Sequence, residues 1–413
     1  MKIRGNGIVA QSGGPTAVIN NSVCGVIHAW QEQEARGSLF GAMHGIKGVL
    51  EEKFVDLTAQ SGYLIDSLRH TPGAALGSCR YKLQEEDYLK LLRIFQKENI
   101  RYFFYIGGND SMDTANKVHR LAQQEQYELH VIGIPKTVDN DLPFTDHCPG
   151  YGSAAKFLAT TVMETGIDLK GLLMSKSVTI MEVMGRNTGW LAASTALAHR
   201  REDDSPHLIY LPETPFESEQ FLADVETVYR NMGHVYVVAS EGLVDKNGDY
   251  IFAAKGRDSF GHSMLGGLAE TLKTLVEKEI GIKVRCNILG TAQRAAAHCA
   301  SATDVAEAYM TGVEAVRMAA EGCSGLMVTL ERDRSDSYVC FPGSVELGRV
   351  ANVEKTIPRD WINEAGNGVC DTLINYVRPL IQGEVSFPTR DGLPDFATLD
   401  ALRQRPLPVG EAG

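Results

Sequence analysis

The chain lacks long apolar runs, and that absence argues against a membrane protein. No stretch of its 413 residues reaches the ~18–20 consecutive apolar residues that a membrane-spanning helix needs. The first residues, MKIRGNGIVAQSGG, enter a short strand-like run, whereas a secretory signal has an apolar core followed by small residues. We therefore expect no membrane span, no export and a cytoplasmic location.

Paired cysteines and an excess of positive charge are also absent. The eight cysteines form no C-x-x-C pair, which is typical of reduced thiols in a cytosol. There are 40 Lys and Arg against 52 Asp and Glu, a net charge of −12, and this balance argues against a nucleic-acid partner. An anionic substrate must therefore meet a local cluster of Arg and Lys.

Internal repeats and low-complexity tracts are missing as well, while glycine is abundant, with 41 Gly against 15 Pro. The chain is long enough to form two domains. We place one at residues 1–150 plus approximately 295–343 and the other at 151–294 plus approximately 344–385. Residues 386–413 form the predicted C-terminal tail.

What the sequence does contain is a series of short runs, rich in β-branched and aromatic residues, between amphipathic stretches. The runs cover residues 7–10, 101–106, 130–134, 177–183, 207–211, 234–239, 284–289 and 325–330. Apolar runs of this length that alternate with helical segments are typical of a parallel sheet covered on both faces. The predicted fold class is α/β, with two doubly wound Rossmann-like domains, mainly parallel sheets and an active site in the cleft between them.

Polar loops follow five of these runs. Ligands of open parallel sheets bind beyond the carboxyl ends of the strands, so we expect the five loops to lie on one rim. They cover residues 11–16, 107–111, 135–141, 184–189 and 240–242, with the sequences QSGGPT, GGNDS, PKTVDND, MGRNTG and SEG.

The glycine-rich loops suit an anion. Gly13 and Gly14 stand before an amphipathic run over 18–31, where backbone N–H groups at a helix N-terminus favour negative charge. A second Gly-Gly pair ends at Gly108, and Arg80 follows a further glycine turn. Tight turns and a surface arginine are the alternatives, and the loops match neither G-x-x-x-x-G-K-[ST] nor G-x-G-x-x-G.

The loop over 136–141 carries charges that suit phosphoryl transfer. Of Asp139 and Asp141, one carboxylate can take a proton from an attacking hydroxyl while the other holds Mg²⁺. Lys136 and Thr137 can bind the transferring oxygens. A solvated Asx-rich turn is the alternative.

Taken together, these motifs resemble the phosphofructokinase family. Seven short matches occur in the order and approximate spacing of that family, which makes a chance resemblance very improbable. They are residues 12–14, 76–80, 107–111, 135–141, 184–186, 241–242, and Arg285 with 290–294.

The resemblance implies a role for each matched residue. Asp139 would be the general base on a sugar hydroxyl with the help of Asp141, Lys136 would bind the phosphoryl donor, and Thr137 would contact the reacting centre. The implied pyrophosphate site consists of Gly13, Gly14, Arg80, Gly108, Asp110 and Lys136. The implied fructose 6-phosphate site consists of Thr137, Asp139, Met184, Gly185, Arg186, Glu241, Arg285 and Arg294.

Two positions are similar to the pyrophosphate-dependent branch of the family. The ATP-using enzymes are expected to carry glycine where this chain has Asp110 and Lys136. Asp110 would occupy the space of a nucleotide α-phosphate and repel it by a few kcal/mol at ~4 Å, and Lys136 would neutralise pyrophosphate. The implied reaction is reversible, Mg²⁺-dependent phosphoryl transfer from pyrophosphate to the 1-hydroxyl of fructose 6-phosphate, a step of glycolysis and gluconeogenesis.

The resemblance also has departures and implies partners. Asn109 stands where family members often have an Asp that helps to hold Mg²⁺, so the implied metal ligands are Asn109, Asp110 and Asp141. Arg285 matches an Arg that reaches the sugar phosphate from a neighbouring subunit, which implies a homodimer or homotetramer. Residues 1–150 plus 295–343 would bind the donor, and the other domain would bind the sugar phosphate.

Three alternatives stay open. One is an ATP-dependent 6-phosphofructokinase in which Asp110 is rotated away. Another is a non-catalytic regulatory subunit that binds sugar phosphates, which Asn109 suggests. The third is a generic sugar-phosphate binding protein, which would not need Asp139 and Asp141 together.

Overall fold

The computed structural model describes residues 5–33, 37–79, 81–171, 177–252, 254–257, 263–333 and 337–397. The strands, in chain order, are β1 (Asn6–Gln11), β2 (Leu39–Ala42), β3 (Phe54–Asp56), β4 (Ile100–Gly107), β5 (His130–Pro135), β6 (Val178–Val183), β7 (Leu208–Tyr210), β8 (Val235–Ser240), β9 (Ala254–Arg257), β10 (Ser263–Met264), β11 (Val284–Ile288), β12 (Leu326–Arg332), β13 (Cys340–Glu346), β14 (Thr389–Arg390) and β15 (Leu393–Pro394).

The helices alternate with these strands. The α-helices, in chain order, are α1 (Ile19–Gln31), α2 (Gly45–Leu50), α3 (Gly62–Leu68), α4 (Glu85–Lys97), α5 (Asn109–Gln124), α6 (Tyr151–Gly171), α7 (Trp190–Ser194), α8 (Ser218–Met232), α9 (Leu268–Glu279), α10 (Ala292–Ala295), α11 (Ala302–Ala320), α12 (Leu347–Val350) and α13 (Asp371–Val377). Short 3₁₀ helices cover Thr195–Ala198, Ala297–Cys299, Arg359–Trp361 and Arg378–Ile381.

The larger sheet has seven strands in the order β13-β12-β5-β4-β1-β2-β3. Its five central strands are parallel, and only the edge strands β3 and β13 are antiparallel to their neighbours. The smaller sheet has four parallel strands in the order β11-β6-β8-β7. These two mainly parallel sheets confirm the predicted α/β fold class.

Strand β4 illustrates why the apolar runs predict buried strands. Its residues alternate between the two faces of the larger sheet: Phe103 and Tyr105 belong to one apolar core, and Phe104 and Ile106 to the other. Helices α4 and α5 cover the first face, and α1 and α11 cover the second. Because both faces are covered, nearly every position of the strand is apolar.

In the two larger sheets, the strands that the sequence did not predict are β2, β3 and β13. The first two are only four and three residues long, and β13 contains Pro342 and Gly343, which are residues typical of turns. Pro342 is tolerated because β13 is an edge strand, where a missing N–H costs no ladder hydrogen bond on the open side.

The carboxylate of Asp304 connects two segments that lie far apart in the chain, the start of α11 and the start of α6. Asp304, in the first turn of α11, accepts from the N–H of Gly150 at 2.8 Å and from the N–H of Ser153 at 2.9 Å. These two donors lie at the start of α6, whose first N–H groups have no partner within the helix. The domain limits themselves stay a prediction, and β13 continues to Glu346, past the predicted limit at residue 343.

The C-terminal tail is described as far as residue 397, and residues 398–413 lie outside the described part. Strands β14 and β15 pair as an antiparallel hairpin. Beyond it, the N–H of Ala397 donates to Oγ1 of Thr71 at 3.0 Å, which places this part of the tail against the larger sheet's half of the chain. Among the described residues, no helix is both long enough and apolar enough to cross a membrane.

A histidine pair lies at the amino ends of β7 and β8. The rings of His207 and His234 meet edge to face with centroids 5.2 Å apart, and Nδ1 of His207 accepts from the N–H of Tyr236 at 2.8 Å. Among the described residues, both Nε2 atoms and Oγ of Ser205 are buried without a hydrogen-bond partner. Burial, and then the neighbouring His234, lower the pKa of His207 to about 4.

We predict that acid destabilises the fold through His207. Its folded pKa is lowered to about 4, against ~6.5 in the unfolded chain, so the folded state binds fewer protons. The free energy of unfolding therefore falls as the pH drops from about 6.5 towards 4, by about 1–3 kcal/mol from this group. His207→Asn keeps an acceptor near Nδ1 but does not titrate in this range. Urea unfolding at pH 7 and pH 5 should show a larger loss for the wild type, and equal losses would contradict the prediction.

Candidate active site

The five polar loops meet in one cleft of about 600 Å³ between the two sheets. It is lined by Ser12, Gly13, Gly14, Gly108, Asn109, Asp110, Ser111, Lys136, Thr137, Val138, Asp139, Asp141, Met184, Arg186, Asn187, Thr188, Glu241, Arg294, Asn352 and Glu354. The first three loops follow β1, β4 and β5 of the larger sheet, and the other two follow β6 and β8 of the smaller one. The prediction that the five loops lie close together at the carboxyl ends of the strands is confirmed.

The first glycine loop is approached by two cations. Gly13 has φ +75°, and a Cβ there would lie 3.0 Å from Nζ of Lys136. A Cβ on Gly14 would lie 2.6 Å from Nη1 of Arg294. The Lys136 ammonium donates to the carbonyl of Gly14 at 2.8 Å. The loop therefore places two positive groups beside exposed backbone, an arrangement suited to phosphate oxygens.

The second glycine loop leads into α5 at the cleft. Gly107 needs to be glycine because a Cβ would lie 2.0 Å from Oγ of Ser111. Gly108 precedes the first turn of α5, and Asp110 is an exposed residue in that turn. The positive end of the helix dipole therefore faces the cleft, where it favours an anion. Asp110 places a negative charge at the same spot, which limits the room and the charge that a bound anion can have there.

Asn109 contacts a distant segment instead of pointing into open space. Its Oδ1 accepts from the N–H of Asn352 at 2.5 Å, and its Nδ2 donates to the carbonyl of Val353. Both polar atoms of the carboxamide are thus engaged by the protein itself. Of the three residues predicted as metal ligands, Asp110 and Asp141 are the two that keep an ionisable oxygen at the cleft.

The acidic loop turns sharply between its two aspartates. Asn140 has φ +54° and is fully buried; its Nδ2 donates to Tyr376 Oη at 2.9 Å, and its Oδ1 accepts from the N–H of Cys148 at 3.0 Å. The N–H of Asp139 donates to Oγ1 of Thr137 at 3.1 Å. This buried anchor in the middle of the loop differs from a solvated turn, because it holds both carboxylates at the cleft.

Burial and neighbouring negative charges raise the pKa values of the two aspartates in this loop. The pKa of Asp139 is raised by burial and then by Glu241, although Lys136 and Arg186 oppose the shift. The pKa of Asp141 is raised by burial, then by Asp139 and by Glu354. Carboxyl groups with a raised pKa near neutral pH can exchange a proton with a substrate hydroxyl.

Lys136 lies at the floor of the cleft, with 3% of its surface exposed. Burial lowers its pKa to about 8, although the two carboxylates of the acidic loop oppose this shift. The ammonium is therefore a dehydrated cation near neutral pH, which strengthens its attraction for a polyanionic donor.

The predicted sugar-phosphate residues lie on the opposite wall. Gly185 has φ +139°, and a Cβ there would lie 2.5 Å from Oγ of Ser240. Burial raises the pKa of Glu241, and then Glu182 adds to the shift while Arg186 opposes it. Met184, Arg186, Glu241 and Arg294 line the cleft. Arg186 therefore supplies a guanidinium group for a phosphate beside Glu241, a carboxylate that can accept from sugar hydroxyls, while Arg294 lies next to Gly14 of the first glycine loop.

Two predicted site residues in the described part of the chain, Gly185 and Arg285, are not among the residues that line the cleft. Arg285 lies on the edge strand β11, paired in register with Thr179 of β6, and it does not line the cavity. Arg80 lies outside the described residues.

Several lining residues were missed by sequence reasoning. Glu354 and Asn352 arrive from the segment after α12, more than 200 residues from the acidic loop, and no pattern in the sequence marks them. Gln293 is a different case because it lies inside a matched motif. Its Oε1 accepts from the N–H of Met184 at 3.0 Å and so supports the sugar-phosphate loop from behind.

Comparison with known proteins identifies close relatives. A protein from Halomonas elongata named pyrophosphate–fructose 6-phosphate 1-phosphotransferase is 43% identical over 411 residues, which is 98% of each chain. One of the same name from Methylococcus capsulatus is 42% identical over 401 residues, 95% of this chain and 96% of its own. The crystal structure of a pyrophosphate-dependent phosphofructokinase from Marinobacter aquaeolei has a TM-score of 0.89 at 43% identity and covers 98% of both chains.

The family assignment agrees with the cleft. The model of the phosphofructokinase family matches residues 6–319, a span that includes the five polar loops and both glycine pairs. Similarity over nearly the full length, together with the same fold, leaves one conclusion: the chain belongs to the phosphofructokinase family.

Proposed function

We propose that the protein catalyses reversible, Mg²⁺-dependent phosphoryl transfer from pyrophosphate to the 1-hydroxyl of fructose 6-phosphate. The observation that carries the proposal is the placement of Lys136, Arg294 and Asp110 beside the two glycine loops, in one cleft with Arg186 and Glu241. The names of the relatives at 42–43% identity support the same donor and acceptor. The products are fructose 1,6-bisphosphate and phosphate.

The proton of the acceptor hydroxyl goes to Asp139. Removal of that proton lets the 1-oxygen form a bond to the terminal phosphorus of pyrophosphate, while the bond from that phosphorus to the bridging oxygen breaks and phosphate leaves. The raised pKa of Asp139 brings the carboxyl close to the pH range in which the enzyme must both accept and return a proton. In the reverse reaction the same group returns the proton to the sugar oxygen.

The donor charge is met by Lys136 and by the backbone around it. The ammonium lies 2.8 Å from the carbonyl of Gly14, and Gly13 lets the loop pass close to the cation. Arg294 reaches the same loop, so transferring oxygens would lie between two positive groups.

The residues present fit a bound Mg²⁺. Among the described residues, Oδ1 of Asp141 is buried and has no hydrogen-bond partner, and carboxylate oxygens are the ligands that Mg²⁺ prefers. Asp141 would hold the ion, with Asp110 at the same cleft, and the ion would supply charge neutralisation of the pyrophosphate oxygens.

The donor preference follows from Asp110. An aspartate in the first turn of α5 adds negative charge where a nucleotide would place its α-phosphate. Pyrophosphate has no such extension, so it fits the same space with less repulsion. The alternative of an ATP-dependent enzyme requires this side chain to leave the cleft.

The proposal extends to the assembly and the cellular setting. Residues 1–150 plus approximately 295–343 would bind the donor, and 151–294 plus approximately 344–385 would bind the sugar phosphate. Because Arg285 lies away from the cleft of its own chain, we propose that it serves a neighbouring subunit in a homodimer or homotetramer. We also propose that the enzyme acts in the cytoplasm, in glycolysis or gluconeogenesis.

The direct test measures fructose 1,6-bisphosphate formed from fructose 6-phosphate and Mg²⁺ with either pyrophosphate or ATP. Turnover with pyrophosphate alone is the expected result. Turnover with ATP alone would refute the donor assignment. Tight binding of fructose 6-phosphate without turnover from either donor would favour the regulatory subunit that binds sugar phosphates.

We predict a bell-shaped dependence of kcat/KM on pH. Activity rises as Asp139 loses its proton, with a pKa of about 6, and falls again as Lys136 loses its proton, with a pKa of about 8. Initial rates at saturating Mg²⁺ and constant ionic strength would measure both limbs. Lys136→Arg stays charged above pH 8, so its basic limb should move to higher pH. A basic limb that stays in place would show that another group is responsible.

A further inference from the structure

A four-residue segment outside every motif closes one side of the cleft. We call residues 352–355 the strap; they follow α12 and return the chain from the larger sheet to the smaller one. Two of them, Asn352 and Glu354, line the cavity.

The strap is attached to the donor side by Asn109. The carboxamide accepts from the N–H of Asn352 at 2.5 Å and donates to the carbonyl of Val353. An aspartate at 109 would keep the first bond, but its second oxygen would face the Val353 carbonyl, and two acceptors repel. The amide at this position is therefore the side chain that can hold the strap.

The other end of the strap is attached to the acidic loop. The N–H of Lys355 donates to the carbonyl of Asp141 at 2.7 Å. The Lys355 ammonium donates to the carbonyls of Asp146 at 2.8 Å and Thr145 at 3.2 Å. Nε1 of Trp190 donates to the Lys355 carbonyl at 3.0 Å. The strap is thus attached to two loops of the larger sheet and to Trp190 of α7.

Glu354 points its carboxylate to the cleft between these attachments. Its Oε1 accepts from Nδ2 of Asn187 at 2.7 Å. Glu354 is an exposed residue, whereas Oδ1 of Asp141 is buried and, among the described residues, has no hydrogen-bond partner. The residue after Glu354 donates its N–H to the carbonyl of Asp141 at 2.7 Å, and both Glu354 and Asp141 line the same cavity, so the two residues are near neighbours. Two acidic groups that line one cavity favour a cation between them.

We propose that Glu354, carried by the strap, is a ligand of the divalent cation at this site, together with Asp141. The cation itself comes from the proposed function, so the inference rests on it. Asn109 has no carboxylate to offer the cation, but its amide attaches the strap that carries Glu354. The carboxylate of Glu354, 245 positions later in the chain, would supply the negative charge that Asn109 lacks.

The test is Mn²⁺ binding in the full-length protein, followed by electron paramagnetic resonance of free Mn²⁺ without substrates. Glu354→Gln keeps an oxygen that can accept from Asn187 but removes the charge. We expect this variant to bind Mn²⁺ at least about tenfold more weakly than the wild type. Glu364→Gln removes a surface carboxylate that does not line the cleft and should bind as the wild type does.

Binding by Glu354→Gln within twofold of the wild type would overturn the inference, and so would an equal loss in Glu364→Gln. Asn187→Ala retains the charge of Glu354 but removes its anchor, so it should give a smaller loss than Glu354→Gln. Equal melting temperatures for the variants would confirm that each is folded. If the wild type fails to use pyrophosphate while Glu354→Gln still loses Mn²⁺ affinity, the proposed function fails and the cation ligand stands.

Discussion

Asp139→Asn is expected to lower kcat with pyrophosphate by about 10²–10⁴-fold. The amide has nearly the same shape as the carboxyl, but it cannot take the proton of the attacking 1-hydroxyl. The backbone contact of residue 139 with Oγ1 of Thr137 does not involve the side chain, so the loop keeps its anchor. Steady-state rates in both directions, at saturating fructose 6-phosphate and at saturating fructose 1,6-bisphosphate, would show the loss.

The control for this variant is Asp371→Asn, which changes an exposed aspartate of α13 outside the cleft and should keep wild-type activity. The KM for fructose 6-phosphate should change much less than kcat, because the proposed phosphate ligands, Arg186 and Arg294, are unchanged. A kcat within tenfold of the wild type would show that another group accepts the proton. Asp141 would then be the next candidate, since its pKa is raised by the same burial.

Replacing Asp110 and Lys136 together by glycine is expected to reverse the donor preference. Removal of Asp110 relieves a repulsion of about 4 kcal/mol for a nucleotide phosphate at ~4 Å and an effective dielectric of ~20, which corresponds to about 10³-fold in kcat/KM for ATP. Removal of Lys136 takes away the cation beside Gly14, so kcat/KM for pyrophosphate should fall by about 10²-fold or more. Rates with each donor at fixed Mg²⁺ measure both changes.

The single variants separate the two effects. Asp110→Gly alone should gain ATP activity and keep pyrophosphate activity, because the buried ammonium stays in place. Lys136→Gly alone should lose pyrophosphate activity without gaining ATP activity. If the double variant gains no ATP activity, Asp110 does not exclude the nucleotide. Binding of fructose 6-phosphate, measured by calorimetry, should be unchanged in all three variants and so acts as the control for folding.

The fold class and the position of the cleft could be predicted from the sequence because both depend on local patterns. Each of the eight predicted runs is a strand, since a strand covered on both faces must be continuously apolar, as β4 is. Parallel strands bring their carboxyl ends to one edge of the sheet, so the loops that contain Gly14, Gly108 and Asp141 had to lie close together. The edge strands β3 and β13 were missed because an edge strand needs no such apolar run, and β2 was missed because it has only four residues.

Residue roles at a distance could not be predicted in the same way. From the sequence, Asn109 is predicted to be a metal ligand weaker than aspartate. In the fold, its amide is hydrogen-bonded to the backbone of Asn352 and Val353 in the strap. The pKa of Asp139 depends on its burial and on Glu241 and Arg186, and the pKa of Lys136 depends on its burial and on the two carboxylates of the acidic loop. The spacing of the motifs along the chain does not reveal these contacts or this burial.

The sequence by itself determined the sheets, the glycine loops, the acidic loop and the family, because each is a short pattern whose chemistry lies in neighbouring residues. Only the tertiary structure decided that Glu354 and Asp141 line the same cleft and that Lys136 is a dehydrated cation at its floor. The physical reason is that burial and electrostatic coupling depend on which groups meet in space, and here some of the groups that meet are separated by more than two hundred residues of chain.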